Sequence, residues 1–486
     1  MAEDEAIRLA ERPIPVVPHR SEAESRAIGK EARATVPRAS HATFEPSPDR
    51  PDPVTLLEDQ AITRVQDLVP IRYGRMLVSP FTFFRGAALI MASDLSTTPD
   101  SGLTAQICGD AHLSNFGVFA SPERQFVFDC NDFDETLPGP WEWDIKRLAA
   151  SIVVAGREKG HAKAMRTAAI AELGRTYRES MRQMATLSNL EVWYFHVDVA
   201  SVISELETQA ATTGSKSQAR MAATATKAVA KARTKDSMKA LDKLTHVVDG
   251  ERRIISDPPL LVPVEEVFPE LEADQFVSMF REVLRRYRQT LSTDRRHLLE
   301  EYQFSQMARK VVGVGSVGTR VWVILLHGAG PEDVLFLQAK EAEASVLERF
   351  TKKSHYGNHG ARVVAGQRLM QASSDIFLGW QRTDGVDGAS HDYYVRQLQD
   401  WKGSIDTETM APQGLEAYGR LCALTLARAH ARSGDRFAMA AYLGNSDNFE
   451  MALAKFAESY ADQNERDYEA FAAACKSGRL HAEEGM

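Results

Sequence analysis

The chain has 486 residues, 44% hydrophobic and 26% charged, enough for a large core and roughly two or three domains without disulfide or metal staples. Its net charge of -9 argues against a general nucleic-acid binder, and no apolar run approaches the ~20 residues that span a bilayer. Four scattered cysteines with no C-x-x-C pair, and an acidic start (Met1-Ala2-Glu3-Asp4-Glu5) unlike a signal peptide, make the reducing cytoplasm the expected compartment.

Residues 1–55 are rich in Pro, Arg, Glu and Ser and lack periodicity, so a mobile arm is expected there. Arg72-Tyr73-Gly74-Arg75-Met76 leads into Pro80 to Ala87, an aromatic cluster punctuated by arginines; its rings are expected in the core, with Arg85 either a flanking charge or a ligand. Thr104 to Cys108 reads as a strand, and Phe116 to Ala120 with Phe126 to Cys130 reads as a hairpin turned by Ser121-Pro122-Glu123-Arg124. Asp144–Arg157 and Ala162–Leu187 carry helical spacing. Residues 201–245, rich in Ala, Lys and Thr, read as a helical insertion with a solvated face, and 274–300 as another charged helix. From Val311 to Leu326 the pattern is strand, Gly-rich turn, strand, followed by a strand from Val334 to Ala339. A helix over 360–373, strands at Phe377–Trp380 and Tyr393–Gln399, and a strongly apolar helix at 414–432 complete the order. No internal repeat is visible.

Two segments carry chemistry. Gly109-Asp110-Ala111-His112-Leu113-Ser114-Asn115 follows an apolar strand, and the hairpin returns Asn131-Asp132-Phe133-Asp134-Glu135 beside it. Phosphoryl transfer needs a carboxylate to accept the nucleophile's proton, plus an amide oxygen and a second carboxylate to hold magnesium. Asp110 fits the first role, and Asn115, Asp132 and Asp134 the second. The bland alternative is that Asp and Asn merely cap turns. The second segment is Gly313, Gly315, Ser316 and Gly318. Its glycines lie between two strands, which suits a hairpin covering nucleotide phosphates better than a dinucleotide fingerprint. Lys340, at the end of the next strand, is placed to reach phosphate oxygens; the alternative is a lysine snorkelling to solvent.

These residues resemble the protein-kinase-like fold, in particular its aminoglycoside and choline kinase branch. That branch has a G-D-x-H-x-x-N loop, a hairpin ending in a metal-binding aspartate, and a further aspartate opening a helix. The matching residues are Asp110 and Asn115, Asp132, and Asp144. From about Leu56 to Gly444 the chain also resembles the bacterial family called domain of unknown function 2252. Phe84-Arg85-Gly86, the Asp110 loop, Asn131 to Glu135, Gly366-Gln367-Arg368 and Ala429 to Asp435 carry that likeness. The kinase order is rotated here, with the catalytic loop before the Gly-rich loop. The resemblance therefore implies an α+β, two-lobe, protein-kinase-like fold, circularly permuted, with a large helical insertion. It requires helix 414–432 to pack beside segment 104–116. Its expected divisions are the arm 1–55, a mainly helical lobe 56–310 with the insertion at about 190–300, a β lobe 311–405, and helices 406–486 completing the helical lobe.

The resemblance implies a nucleotide- and magnesium-binding phosphotransferase using ATP on an unknown small molecule. One kinase part is missing: helix 360–373 offers Gln367 and Gln371 but no acid for Lys340, leaving Glu341, Glu343 or Glu348 as substitutes. That gap favours a second reading, a pseudokinase or nucleotidyl transferase. A third is a metallophosphoesterase, from the D-x-H form at Asp110 and His112 and the G-N-H echo at Gly357-Asn358-His359, which requires both histidines on converging metals. His112 is otherwise a loop-shaping hydrogen bonder.

Overall fold

The computed structural model describes residues 19–248, 251–270, 273–330, 332–385, 388–398, 401–404 and 410–485. It is a mixed α+β protein, as expected, built from a helical body and a six-stranded antiparallel sheet. The helix Trp141–Glu158 is buried from Trp141 through Gly156, and its charged Glu142, Asp144, Lys146 and Arg147 are buried with the rest. Around it pack the helices Lys163–Met184, Pro412–Ser433 and Asn448–Ser477. Trp141 stacks on Tyr177 with ring centroids 5.3 Å apart.

The sheet runs in the order Gly379–Asp384, Ser390–Gln397, Val334–Ala342, Val321–His327, Gln303–Lys310, Leu261–Pro263. Val334–Ala342 is buried at every position, as a central strand covered on both faces should be. Lys340 pairs with Val321 and with Tyr394, and strand alternation turns it away from the face bearing Ala339 and Glu341. The hairpin Phe116–Ala120 and Phe126–Cys130 has the expected bounds and forms the centre of a separate four-stranded sheet.

Helix Pro412–Ser433 lies beside segment 104–116, the adjacency required above. The Tyr418 hydroxyl sits 3.0 and 3.1 Å from the carbonyls of Leu113 and Phe116, and the Gln106 N–H donates to Ser433 Oγ at 3.1 Å.

Several expectations are corrected. Residues 19–55 of the supposed mobile arm are docked; the remaining 1–18 lie outside the described residues. Ser21 and Glu24 form a capping box that starts the helix Glu22–Thr35. This helix meets Arg436–Leu443 so closely that a Cβ on Gly29 would stand 2.0 Å from the Ala438 carbonyl oxygen. Arg50 then bridges Asp94 and Asp467, at 2.6 Å to each. The strand expected to start at Val311 lies earlier: Gln303–Lys310 is the strand that precedes the Gly-rich loop and pairs with Val321–His327, and 311–320 is loop. A register shift between Leu325 and Leu326 spoils the alternation that would have revealed it. The helix expected over 274–300 is two, Ala273–Arg288 and Thr293–Glu300. The insertion is helical at Val199–Thr213, Lys216–Arg233 and Ser237–Leu244, but it then supplies the edge strand Leu261–Pro263. The end of the strand expected to reach Gln399, and the boundary expected at 405/406, lie outside the described residues.

Candidate functional site

The Asp110 loop is held from behind. Asp144, at the start of the central helix, accepts hydrogen bonds from the N–H groups of Cys108 and Gly109 at 2.7 and 2.8 Å, and His430 Nε2 lies 3.2 Å from it. Gly109 has φ +79° and sits against Glu135, where a Cβ would fall 2.6 Å from a carbonyl oxygen. Only glycine fits that left-handed, crowded position. The turn it makes presents Asp110 to a cavity.

Within the loop, Asn115 Nδ2 donates to the Asp110 carbonyl at 2.6 Å, and the Ser114 N–H donates to His112 Nδ1 at 3.2 Å. An accepting Nδ1 leaves the proton on His112 Nε2, which faces Asp110 Oδ2 at 3.6 Å. His112 is thus a loop-shaping group, as expected, and burial with the nearby Arg85 and Arg147 keeps it neutral by lowering its pKa. Asp110 Oδ1 accepts from Arg147 Nε at 2.6 Å. Arg147 is fixed in turn by the Phe84 carbonyl at 3.0 Å and by the Phe84 ring 4.5 Å beneath it. Burial pushes the Asp110 carboxyl up to about 7; Arg147 pulls it down, while Asp132 and Glu135 add to the rise.

One cavity of about 80 Å³ gathers Asp110, His112, Asn115, Asp132 and Asp134 with Gly313, Gly315 and Ser316. These come from two sequence segments about 200 residues apart. Gly318 does not line it; it packs under the Arg64 side chain at the base of the loop. Arg72 and Arg85 line the same cavity. Gly315, Ser316, Asp134 and Glu135 also border an adjoining hollow of about 720 Å³.

Lys340 is buried and pairs with Asp134 Oδ2, while Asp132 Oδ1 stands 3.9 Å away. Burial works against the ammonium, but Asp132 and Asp134 outweigh it and raise the Lys340 pKa. The Tyr394 hydroxyl donates to the other Asp134 oxygen at 2.8 Å. Asp134, expected as a metal ligand, therefore has both oxygens engaged and serves as the acid partner of Lys340. The expected substitutes lie elsewhere: Glu341 meets Arg320 and His391, and Glu343 and Glu348 line the larger hollow. Where a helix-C acid was sought, helix His359–Met370 supplies Arg362. Its guanidinium donates to the carbonyls of Thr136 at 2.7 Å and of Asp134 and Glu343, both at 2.8 Å.

The Gly-rich loop is clasped by helical segments that precede the Asp110 loop. Arg75 donates to the Gly313 carbonyl at 2.9 Å, Arg64 to that of Val317, and the Val65 N–H to that of Gly318 at 2.8 Å. A side chain on Gly315 would stand 3.5 Å from the Arg85 carbonyl. Sequence reasoning raised Arg85 but missed Arg64, Arg72, Arg75, Arg147 and Arg362. Buried arginines look like solvated ones in a sequence.

The sequence profile of a family described as uncharacterized proteins conserved in bacteria (DUF2252) matches residues 64–474. The chain belongs to the DUF2252 family. The match begins at Arg64 and so takes in the arginine clasp, the Asp110 loop, the Gly-rich loop and Lys340. No curated protein and no solved structure matches this DUF2252 chain. Among its described residues no helix is long and apolar enough to cross a membrane. Nor do three His, Cys, Asp or Glu side chains among them form a ready-made metal cluster. Asn358 and His359 cap a helix instead: the Asn358 side chain accepts from the Ala361 N–H and donates to Asp392, and the His359 N–H donates to Asp392. His359 borders the larger hollow, not the cavity containing His112.

Proposed function

We propose that this protein is a nucleotide- and magnesium-binding, kinase-like phosphotransferase acting on a small molecule, with the kinase order circularly permuted. The observation carrying this reading is the single cavity that joins the Asp110 loop, Asp132 and the tip of the Gly-rich loop. The connectivity supports it. From residue 303 onward come two strands joined by the Gly-rich loop, a third strand with Lys340, the helix His359–Met370, two more strands, and Pro412–Ser433 lying against the Asp110 loop. This order supports the reading, because it matches the kinase sequence of parts started elsewhere.

The residues fit the groups this reading needs. Magnesium takes one or two carboxylates and completes its shell with water and phosphate oxygens, so a three-acid cluster is not required. Asp132 has its side chain 32% exposed beside Lys340, and Asn115 spends its amide N–H on Asp110, which leaves its oxygen to accept. These two residues would hold the ion. A cavity of about 80 Å³ takes phosphate-sized groups, well below the ~300 Å³ where small-molecule pockets begin, so the remainder of a nucleotide would extend into the adjoining hollow. Gly313, Gly315 and Ser316 would cover the phosphates, with Lys340 beneath. ATP would supply the transferable phosphoryl group. Asp110, with a pKa of about 7, suits the general base that takes the acceptor's hydroxyl proton, with Arg147 fixing its orientation.

A second reading, nucleotide binding without phosphoryl transfer or with nucleotidyl transfer, is favoured by one observation: Lys340 is already neutralised by Asp134. Thermal-shift and calorimetric titration with ATP, with and without magnesium, tests both. Binding should require magnesium and weaken at least ~10-fold in Asp132→Ala. Absence of magnesium-dependent ATP binding to the wild-type chain overturns both readings. Asp110→Asn then separates them: under the first, binding persists and turnover falls about 10²–10⁴-fold.

A further inference from the structure

One face of the six-stranded sheet is covered by the helix Ala273–Arg288, whose Phe280 and Tyr287 share a buried apolar cluster with Trp322 and Ile324 while the packing leaves a space between. Between them lies a cavity of about 270 Å³, walled by Phe280, Tyr287, Trp322, Ile324 and other apolar side chains. An engineered apolar cavity of ~150 Å³ takes up benzene, and small-molecule pockets begin at ~300 Å³, so this volume suits a ligand of modest size. Met279, 41% exposed, stands at its rim.

One end is polar. Gln381 and Thr383, on the strand Gly379–Asp384, line the cavity, and their side-chain oxygens are buried with no hydrogen-bond partner. Gln381 is only 7% exposed. An unsatisfied buried acceptor costs about 1–3 kcal/mol, a cost that a ligand donor at that point removes. Beside them, Glu341 is already matched by Arg320 at 3.1 Å and His391 at 2.7 Å, so no net charge there calls for an ionic head. Arg309, on the far wall, has its Nε buried without a hydrogen-bond partner, and that burial disfavours its charged form while Asp67 acts the other way.

We propose that this cavity binds a neutral amphiphile: an unbranched chain of about ten carbons among the apolar side chains, with a hydroxyl or amide head donating to Gln381 Oε1. This site is separate from the Asp110 cavity, and the inference does not depend on the function proposed above.

Calorimetric titration of the full-length protein with 1-decanol tests it. One saturable site per chain is expected. Decyl methyl ether, which cannot donate, should bind about five- to tenfold more weakly, the worth of one hydrogen bond. Gln381→Leu should abolish that preference, and Met279→Trp, a change at the exposed rim, should weaken both ligands at least fivefold. Absence of saturable decanol binding, equal affinity for the ether on the wild-type protein, or tighter binding of decanoate than of decanol each overturns the proposal. If Gln381→Leu does not fold, the alcohol-to-ether ratio on the wild type still decides.

Discussion

Asp144 is the residue whose change reports most directly on how the Asp110 loop is held. It is 1% exposed and accepts two backbone N–H groups, one on each oxygen, with His430 close to Oδ2, the oxygen that accepts from Cys108. Asp144→Asn keeps the shape but replaces one accepting oxygen by an NH₂ that must face a donor. One buried N–H loses its partner, and the surviving bond loses its charge assistance. At about 1.5–3 kcal/mol for a bond to a charged group, the local cost is about 2–3 kcal/mol. Because a chain of this length need not unfold in two states, a local probe is preferable to a global midpoint. In hydrogen–deuterium exchange read by mass spectrometry, that cost should speed exchange across residues 104–116 by roughly 30- to 150-fold. Peptides from 216–233, in the distant insertion, should be unchanged. Exchange within about threefold of wild type across 104–116 would refute the assignment of Asp144 as the anchor.

Three further outcomes follow from the same geometry. The Asp110 pKa is raised from 3.8 to about 7 in the fold, so its contribution to stability is full below pH ~4 and is lost as pH rises through 7. Asp110→Asn should flatten that part of the melting-temperature profile between pH 5 and 8, and an unchanged slope counts against the burial argument. Turnover, where present, should rise with pH to a plateau above about 7. Lys340→Met leaves the Asp134 carboxylate, 30% exposed, without its ammonium and should cost about 1–3 kcal/mol in urea unfolding; Asp134→Asn in the same chain should recover part of it, and additive losses would deny the pairing. Gly29→Val should push the helix Glu22–Thr35 off Ala438, seen as faster tryptic cleavage after Arg33 or Arg38 with the rest of the chain intact.

The parts legible in the sequence were those written in short-range patterns. The hairpin from Phe116 to Cys130 shows in its apolar runs and turn residues, and the Asp110 loop and glycines show in spacing. What stayed hidden depends on partners far along the chain. Nothing near Arg362 says that it grips the carbonyls of Asp134 and Thr136, and nothing near Asp134 says that its partner is a lysine 206 residues away. The docked arm was different: Ser21 and Glu24 have the capping-box spacing, a local signal overlooked because composition suggested disorder.

The contact between Tyr418 and the Leu113 carbonyl spans 305 residues, and this sets a timetable for synthesis. At about 5–20 residues per second, the ribosome needs roughly 15–60 s after making the Asp110 loop to deliver the helix that braces it. Until then Leu113 and Phe116 must keep their carbonyls wet or borrowed. A nascent chain stalled before Pro412 would carry an Asp110 loop still waiting for its brace.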